Sequence, residues 1–161
     1  MMNKILISII IILVISSCGN NQTADELYSN AELARNEKNI KSALSSLDLL
    51  LKKYPDHSLA AKTQYLIGDI YMNDLRDFNN AINAYSSVVD KFSGTDQEAQ
   101  AQFMIGYIYA NILGDKLKAK ENYNYFLTKY PNHELAPSVK FELDYLGKDI
   151  NEIDVLKHIT S

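Results

Sequence analysis

SLAAKTQYLIGDIYMNDLRDFNNAINAYSSVVDKFSG, residues 58–94, is the stretch whose reading decides the fold. Its informative positions are Gly68, Tyr71, Ala81, Tyr85 and Phe92. Moved forward by 38 residues they become Gly106, Tyr109, Ala119, Tyr123 and Tyr130; moved back, the last three become Ala43, Leu47 and Tyr54. A fixed internal period means that each unit buries its apolar face against its neighbours instead of inside one closed core. The chain reads as an array of like units.

Each unit has two halves. In the second, Ala81, Ala84, Tyr85, Val88, Val89 and Phe92 recur at helical spacing, with Ile82, Asn83, Ser86, Ser87, Asp90 and Lys91 around the rest of the circumference. In the first, Leu59, Tyr65, Leu66, Ile67, Ile70 and Tyr71 leave little of the helix polar, as suits a helix packed between neighbours. Asn73 to Asp77 is a polar turn between them, so the pair forms an antiparallel hairpin. A glycine inside a helix costs about 1 kcal/mol against alanine, yet Gly68 recurs as Gly106. The expected compensation is a close approach of the two helices where no Cβ fits.

These residues resemble the tetratricopeptide repeat. A small residue, an aromatic three positions on, an alanine opening the second helix, an aromatic four beyond it and a closing proline are matched by Gly68-Tyr71-Ala81-Tyr85 and by Gly106-Tyr109-Ala119-Tyr123-Pro131, and in part by Ala43-Leu47-Pro55. The additions that lengthen the unit lie between Gly68 and Ala81 and in the loop after Tyr-Pro. Extended repeats ending in Tyr-Pro are similar to those of bacterial envelope lipoproteins, among them the lipoprotein of outer-membrane β-barrel assembly and the periplasmic coordinator associated with Tol–Pal. The resemblance implies an all-α tetratricopeptide-repeat solenoid: three hairpins plus a C-terminal capping helix or partial fourth hairpin, with repeats at about 24–57, 58–95, 96–133 and 134–161.

The N-terminus reads separately. One lysine, Lys4, precedes an apolar run from Ile5 to Ile15 broken only by Ser8, about 16 Å of helix and half a bilayer core. Residues 1–17 are therefore expected to be a signal peptide and not a transmembrane helix. Ile15-Ser16-Ser17-Cys18-Gly19 resembles a lipoprotein box, which would make Cys18 the lipidated first residue of the mature chain. Several acyl chains anchor stably where one holds only marginally. Gly19 after the cysteine implies, by the same resemblance, the periplasmic face of the outer membrane. Residues 18–23 form the tether, and Thr23-Ala24-Asp25-Glu26 fits a capping box that opens the first helix. The tether reaches about 20 Å at most, so the folded part is expected to work near the membrane.

The first hairpin is expected over Asp25–Glu37 and Ile40–Lys53, with Asn30 in place of the recurring glycine. Thr95-Asp96-Gln97-Glu98 offers a second capping box before the third hairpin, which runs from Asp96 to Lys129 and turns at Gly114. Leu135 to Leu146 repeats the first-helix pattern, Gly147 is its expected C-cap, and Asn151 to Ile159 would form a short lid or fray.

Cys18 is the only cysteine, so no intramolecular disulfide is expected. The net charge of −4, with both signs scattered, disfavours nucleic acid and anionic lipid as partners. No metal-binding, phosphate-loop or nucleophile-elbow motif appears. His57 and His133 occupy the same loop position two periods apart and read as loop or cap residues. The expectation is a protein that is not an enzyme and has neither cofactor nor metal.

Function is then expected of the surface. In tetratricopeptide arrays the first helix of each pair lines the concave face, so the resemblance points to Tyr65, Asp69, Asn73, Phe103, Tyr107, Asn111 and Tyr145 as a partner-binding groove. Tyr65, Phe103 and Phe141 read equally well as inter-repeat core, while Asp69, Asn73, Tyr107 and Asn111 are expected to be exposed. The leading expectation is a lipid-anchored protein-interaction scaffold of the cell envelope, accessory to outer-membrane protein assembly or envelope coordination. The alternative is a self-associating structural lipoprotein without a dedicated peptide groove.

Overall fold

The computed structural model describes residues 22–148, which form seven α-helices in hairpin succession. The helices are α1 (Ala24–Asn36), α2 (Ile40–Lys53), α3 (Ala60–Asp69), α4 (Phe78–Lys91), α5 (Asp96–Asn111), α6 (Lys116–Lys129) and α7 (Ala136–Asp144). A π-helical turn, Ile70–Asp74, continues α3. Neighbouring helices pack against one another along the chain, and α3 also touches α5. The expected signal segment, Cys18 and the segment from Asn151 to Ile159 lie outside the described residues.

The 38-residue period governs the backbone as well as the core. Lys38, Arg76 and Gly114 all have φ near +60° (63°, 54° and 67°), each in the turn between the helices of a pair. The next residue caps the second helix: side-chain oxygens of Asn39, Asp77 and Asp115 accept from the backbone N–H of Ser42, Asn80 and Lys118 at 3.0–3.2 Å. Leu75 N–H donates to the Ile70 carbonyl and Leu113 N–H to the Ile108 carbonyl, five residues back in both cases. The residue added between Gly68 and Ala81 is thus absorbed as a π turn, and the expected turn of Asn73 to Asp77 starts later because Asn73 and Asp74 are still helical.

The recurring glycines have a physical cause. A Cβ on Gly68 would stand 2.6–2.9 Å from carbons of the Tyr85 ring, and one on Gly106 would stand 2.6–2.7 Å from the nearest carbons of the Tyr123 ring. Both rings are fully buried. The close approach is of a tyrosine ring to helix backbone. In the first hairpin Leu47 replaces the ring and Asn30 the glycine, so the two substitutions belong together.

Each core cluster straddles a hairpin and the next first helix. Leu27, Ala31, Leu47 and Leu50 join Leu66, Ile67 and Ile70; Tyr85 and Val88 join Ile105 and Ile108; Tyr123 and Phe126 join Val139. Gln64 and Gln102, again 38 apart, tie α3 to α4 and α5 to α6 through the carbonyls of Ala84 and Asn122, at 3.2 and 3.3 Å.

Of three local expectations, two need revision. The capping box at Thr23 forms, with Thr23 Oγ1 and Glu26 bonded reciprocally. The one at Thr95 does not. Thr95 Oγ1 donates to the Phe92 carbonyl, and the Glu98 carboxylate turns inward to accept from Gly94 N–H at 2.8 Å and Lys129 Nζ at 2.7 Å. Burial pushes the Glu98 pKa up, but Lys129 and Gly94 N–H outweigh it and hold it below the usual range. Lastly, α7 stops with Tyr145 as C-cap, before Gly147, whose φ of 80° serves the turn beyond.

Candidate partner-binding face

The first helices α3 and α5 offer two faces, one turned to the second helices and one away from them. The expected groove residues divide between them, since Tyr65, Asp69 and Phe103 touch Tyr85 and Tyr123 of the second helices, and the structure sorts the set by burial. Tyr65 and Phe103 are half-buried against the rings that cover the glycines, with centroids 5.2 Å from Tyr85 and 6.3 Å from Tyr123. They share the packing and the surface.

Asp69 differs from the expectation of an exposed residue. It is half-buried and its carboxylate accepts a 2.6 Å hydrogen bond from Tyr85 Oη. Burial raises its pKa, against the lowering effect of that hydrogen bond and of Arg35. Burial, then the Asp69 charge, pushes Tyr65 up to about 12 and raises Tyr85 further. Arg35 reaches from α1 to Asp74 at 2.7 Å, joining the first hairpin to the end of the π turn. This end of the face satisfies itself.

The third hairpin is built differently. Tyr107 stands where Asp69 stood, and the fully buried Tyr123 Oη makes no hydrogen bond among the described residues. The carboxylate facing it comes from the next unit, Glu142 on α7; burial and then Glu142 raise the Tyr123 pKa. Tyr107, like Asp69, departs from the expectation of an exposed residue: it is half-buried beside Phe103, at 6.2 Å between centroids.

Asn73 and Asn111 are exposed, and they line a single crevice of about 500 Å³ together with Met72, Arg76, Phe78 and Ile112. Asn111 also borders a second hollow of about 240 Å³ with Phe141, Glu142 and Tyr145. Its amide approaches Glu142 Oε2 at 3.5 Å. The half-buried Tyr145 ring lies 4.6 Å from Phe141 and carries the Lys148 ammonium at 4.8 Å. Asn73, Asn111 and Tyr145 therefore follow one another across three units with rings beside them; the Asn111 amide nitrogen also donates to the Tyr107 carbonyl at 3.4 Å, which leaves its Oδ1, with the Asn73 side chain, to bond an extended backbone.

Arg35, Glu142 and the glutamine pair escape a reading of the sequence by motif. Gln64 and Gln102 carry a signal, their own 38-residue spacing. Arg35 and Glu142 carry none, because each acts across a unit boundary at a position its neighbours do not repeat.

His57 and His133 each accept, at Nδ1, the backbone N–H two residues on, at 3.2 and 3.1 Å. They are loop-forming side chains, each at the close of a unit. Among the described residues no group of three or more His, Cys, Asp and Glu could hold a metal, and no helix is long and apolar enough to cross a membrane.

Hairpins of equal length, stacked through shared clusters and leaving a ridged face of amides and rings, define a tetratricopeptide-like α-solenoid whose business is holding other proteins. Residues 13–140 match the family model described as SNAP, soluble NSF attachment protein, and the chain belongs to that family. The family is one of non-catalytic helical scaffolds. No curated protein matches the sequence.

Proposed function

We propose that this protein is a lipid-anchored scaffold of the cell envelope that holds an extended segment of a protein partner along its first-helix face, close to the membrane. The observation that carries the proposal is the repetition of an exposed asparagine one unit apart, Asn73 and Asn111, on one crevice that leads to Tyr145. Amides at fixed spacing suit a peptide backbone, and the flanking rings supply apolar contact.

The membrane half of the proposal is supported by the sequence around Cys18 and by one contact. Tyr54 Oη donates to the Gln22 carbonyl at 2.8 Å, which fastens the chain before α1 begins. Four residue steps separate Cys18 from that point, at most about 14 Å of extended chain. A lipid on Cys18 keeps the array near the bilayer, with the outer membrane and its assembly or coordination machinery as the setting that the lipoprotein box and the Tyr-Pro repeats favour.

The test combines two variants in the native envelope. Cys18→Ser is expected to release the protein from the membrane fraction, and the pair Asn73→Ala with Asn111→Ala to leave it membrane-bound while reducing recovery of a crosslinked partner. Retention of Cys18→Ser in the membrane removes the anchor. Unchanged partner recovery with both asparagines replaced removes the groove.

A further inference from the structure

Four positions of each first helix form its joint with the second helix of the same hairpin. In α3 and α5 the glutamines Gln64 and Gln102 bond second-helix carbonyls, and Tyr65 and Phe103 rest on the rings of Tyr85 and Tyr123. Gly68 and Gly106 admit those same rings, and Ala61 and Ala99 are 5% and 2% exposed. One period on, in α7, the four positions are Pro137, Lys140, Phe141 and Asp144. All four are exposed. Phe141 leaves 42% of its surface open, and the Lys140 and Asp144 side chains have no hydrogen-bond or ion-pair partner among the described residues. The other side of α7 is packed, with Val139, Leu143 and Leu146 against the cluster of Tyr123 and Phe126. Helix α7 is thus a first helix whose second-helix side is bare.

The residues that follow α7 have the sequence of the missing element. Gly147 stands at a φ of 80°, in the left-handed region, as Lys38, Arg76 and Gly114 do in the turns before α2, α4 and α6. Asp149 then offers an N-cap of the type that Asp77 and Asp115 supply. Glu152 stands three residues on, the spacing that closes the capping box at Thr23 and Glu26. In a helix from 150, Ile150, Ile153 and Leu156 share one side, with Asn151, Asp154 and His158 opposite. Residues 150–161 make about 18 Å of helix, enough to run the length of α7, about 14 Å. Charge agrees, since 149–161 carry three acids and one lysine and the bare face presents the unpaired Lys140. A second copy of the chain is a poorer occupant, because each of its own second helices already lies on a first helix.

We infer that residues 149–161 fold back along α7 as the second helix of a fourth hairpin, laying Ile150, Ile153 and Leu156 over Phe141. This strap covers the bare side of the last unit as α4 and α6 cover α3 and α5. It also backs the Phe141 ring, which walls the hollow beside Asn111 and Tyr145. The strap needs no partner on the asparagine row, since every contact it makes is with its own unit.

Amide hydrogen exchange tests it, in the chain from Gly19 to Ser161, which retains all seven helices. Amides of residues 153–160 are expected to be protected roughly 30-fold or more over unstructured rates. Phe141→Ser, a change at an exposed side chain, is expected to cut that protection about tenfold while leaving α1 to α6 as they were. Leu156→Asp, a change in the strap itself, should cut it as much, and Asp149→Ala about fivefold through loss of the cap. Leu117→Ser, at a still more exposed site on α6, should leave it unchanged. Protection should also be the same at protein concentrations about tenfold apart. Exchange of 153–160 at unstructured rates, protection that survives Phe141→Ser or Leu156→Asp, or protection that falls on dilution and so assigns the face to a second copy, would each overturn the inference.

Discussion

Replacing Gly68 with alanine tests the joint on which the array is built. The added Cβ would sit 2.6, 2.7 and 2.9 Å from Cε1, Cδ1 and Cζ of Tyr85, whereas carbons in contact rest at about 3.5–4.0 Å. The ring has to retreat by about 1 Å, and it is fully buried with its hydroxyl fixed to Asp69 at 2.6 Å. Overpacking of this kind costs about 1–3 kcal/mol, and straining a hydrogen bond to a charged group adds a share of its roughly 1.5–3 kcal/mol. Alanine returns about 1 kcal/mol of helix propensity, so a net loss of about 2 kcal/mol is expected. Tyr85→Leu alone also destabilises, by leaving a cavity and removing the bond to Asp69. With both changes present, hairpin two takes on the ring-free character of hairpin one, where Leu47 faces a first helix without the glycine. The alanine then only gains propensity, and the coupling energy in a double-mutant cycle is expected to be about 2–3 kcal/mol. Urea unfolding of the four proteins, with amide exchange in α3 and α4 as the local probe, measures it. If Gly68→Ala has the same effect with and without the tyrosine ring, the explanation of the recurring glycine is wrong.

Other consequences follow from the same repeat geometry. Arg76 holds φ at 54° where the next unit has Gly114, so Arg76→Gly is expected to raise thermal stability by about 0.5–1 kcal/mol and Gly114→Ala to lower it by about 1 kcal/mol. Lys129→Met leaves the 2% exposed Glu98 carboxylate with Gly94 N–H as its one hydrogen bond, and a loss of about 2 kcal/mol is expected in urea titration. Because the folded-state pKa of Glu98 is lowered, its contribution is present above the ordinary value of 4.5 and fades as pH falls through the folded value. The Lys129→Met variant is accordingly less acid-sensitive there. Asp69 has the opposite sign: its raised pKa favours folding most below the ordinary aspartate range and loses that contribution as pH rises. Asp69→Asn should therefore flatten the pH dependence of the urea midpoint above the ordinary aspartate value of 3.8.

The sequence carried the periodic part of this architecture and little of what breaks the period. Gly68 and Gly106 announced a close contact because a glycine inside a helix is costly, and the spacing of Tyr85 and Tyr123 placed the rings that require it. The turns were legible in outline, yet the left-handed position was not, since Lys38 and Arg76 hide what Gly114 displays. The π turn leaves no composition signal; it follows from one surplus residue per unit. Thr95 shows the opposite failure. A capping box needs only local spacing, but the nearby Lys129 offers Glu98 a stronger partner than an orphan backbone N–H. On the candidate face, the exposed Asn73 and Asn111 followed from register alone. Asp69 did not, because its burial is decided by a tyrosine sixteen residues away.

Photo-crosslinking in native membranes from single positions tests the scaffold most directly. A crosslinking side chain at 73 or at 111 is expected to capture the same protein, and one at the exposed Ser45 of α2 to capture none of it. Replacing Cys18 with serine should abolish capture at both sites. Equal capture from all three positions, or capture at 73 and 111 that survives loss of Cys18, would contradict a membrane-held array that grips its partner along the first helices.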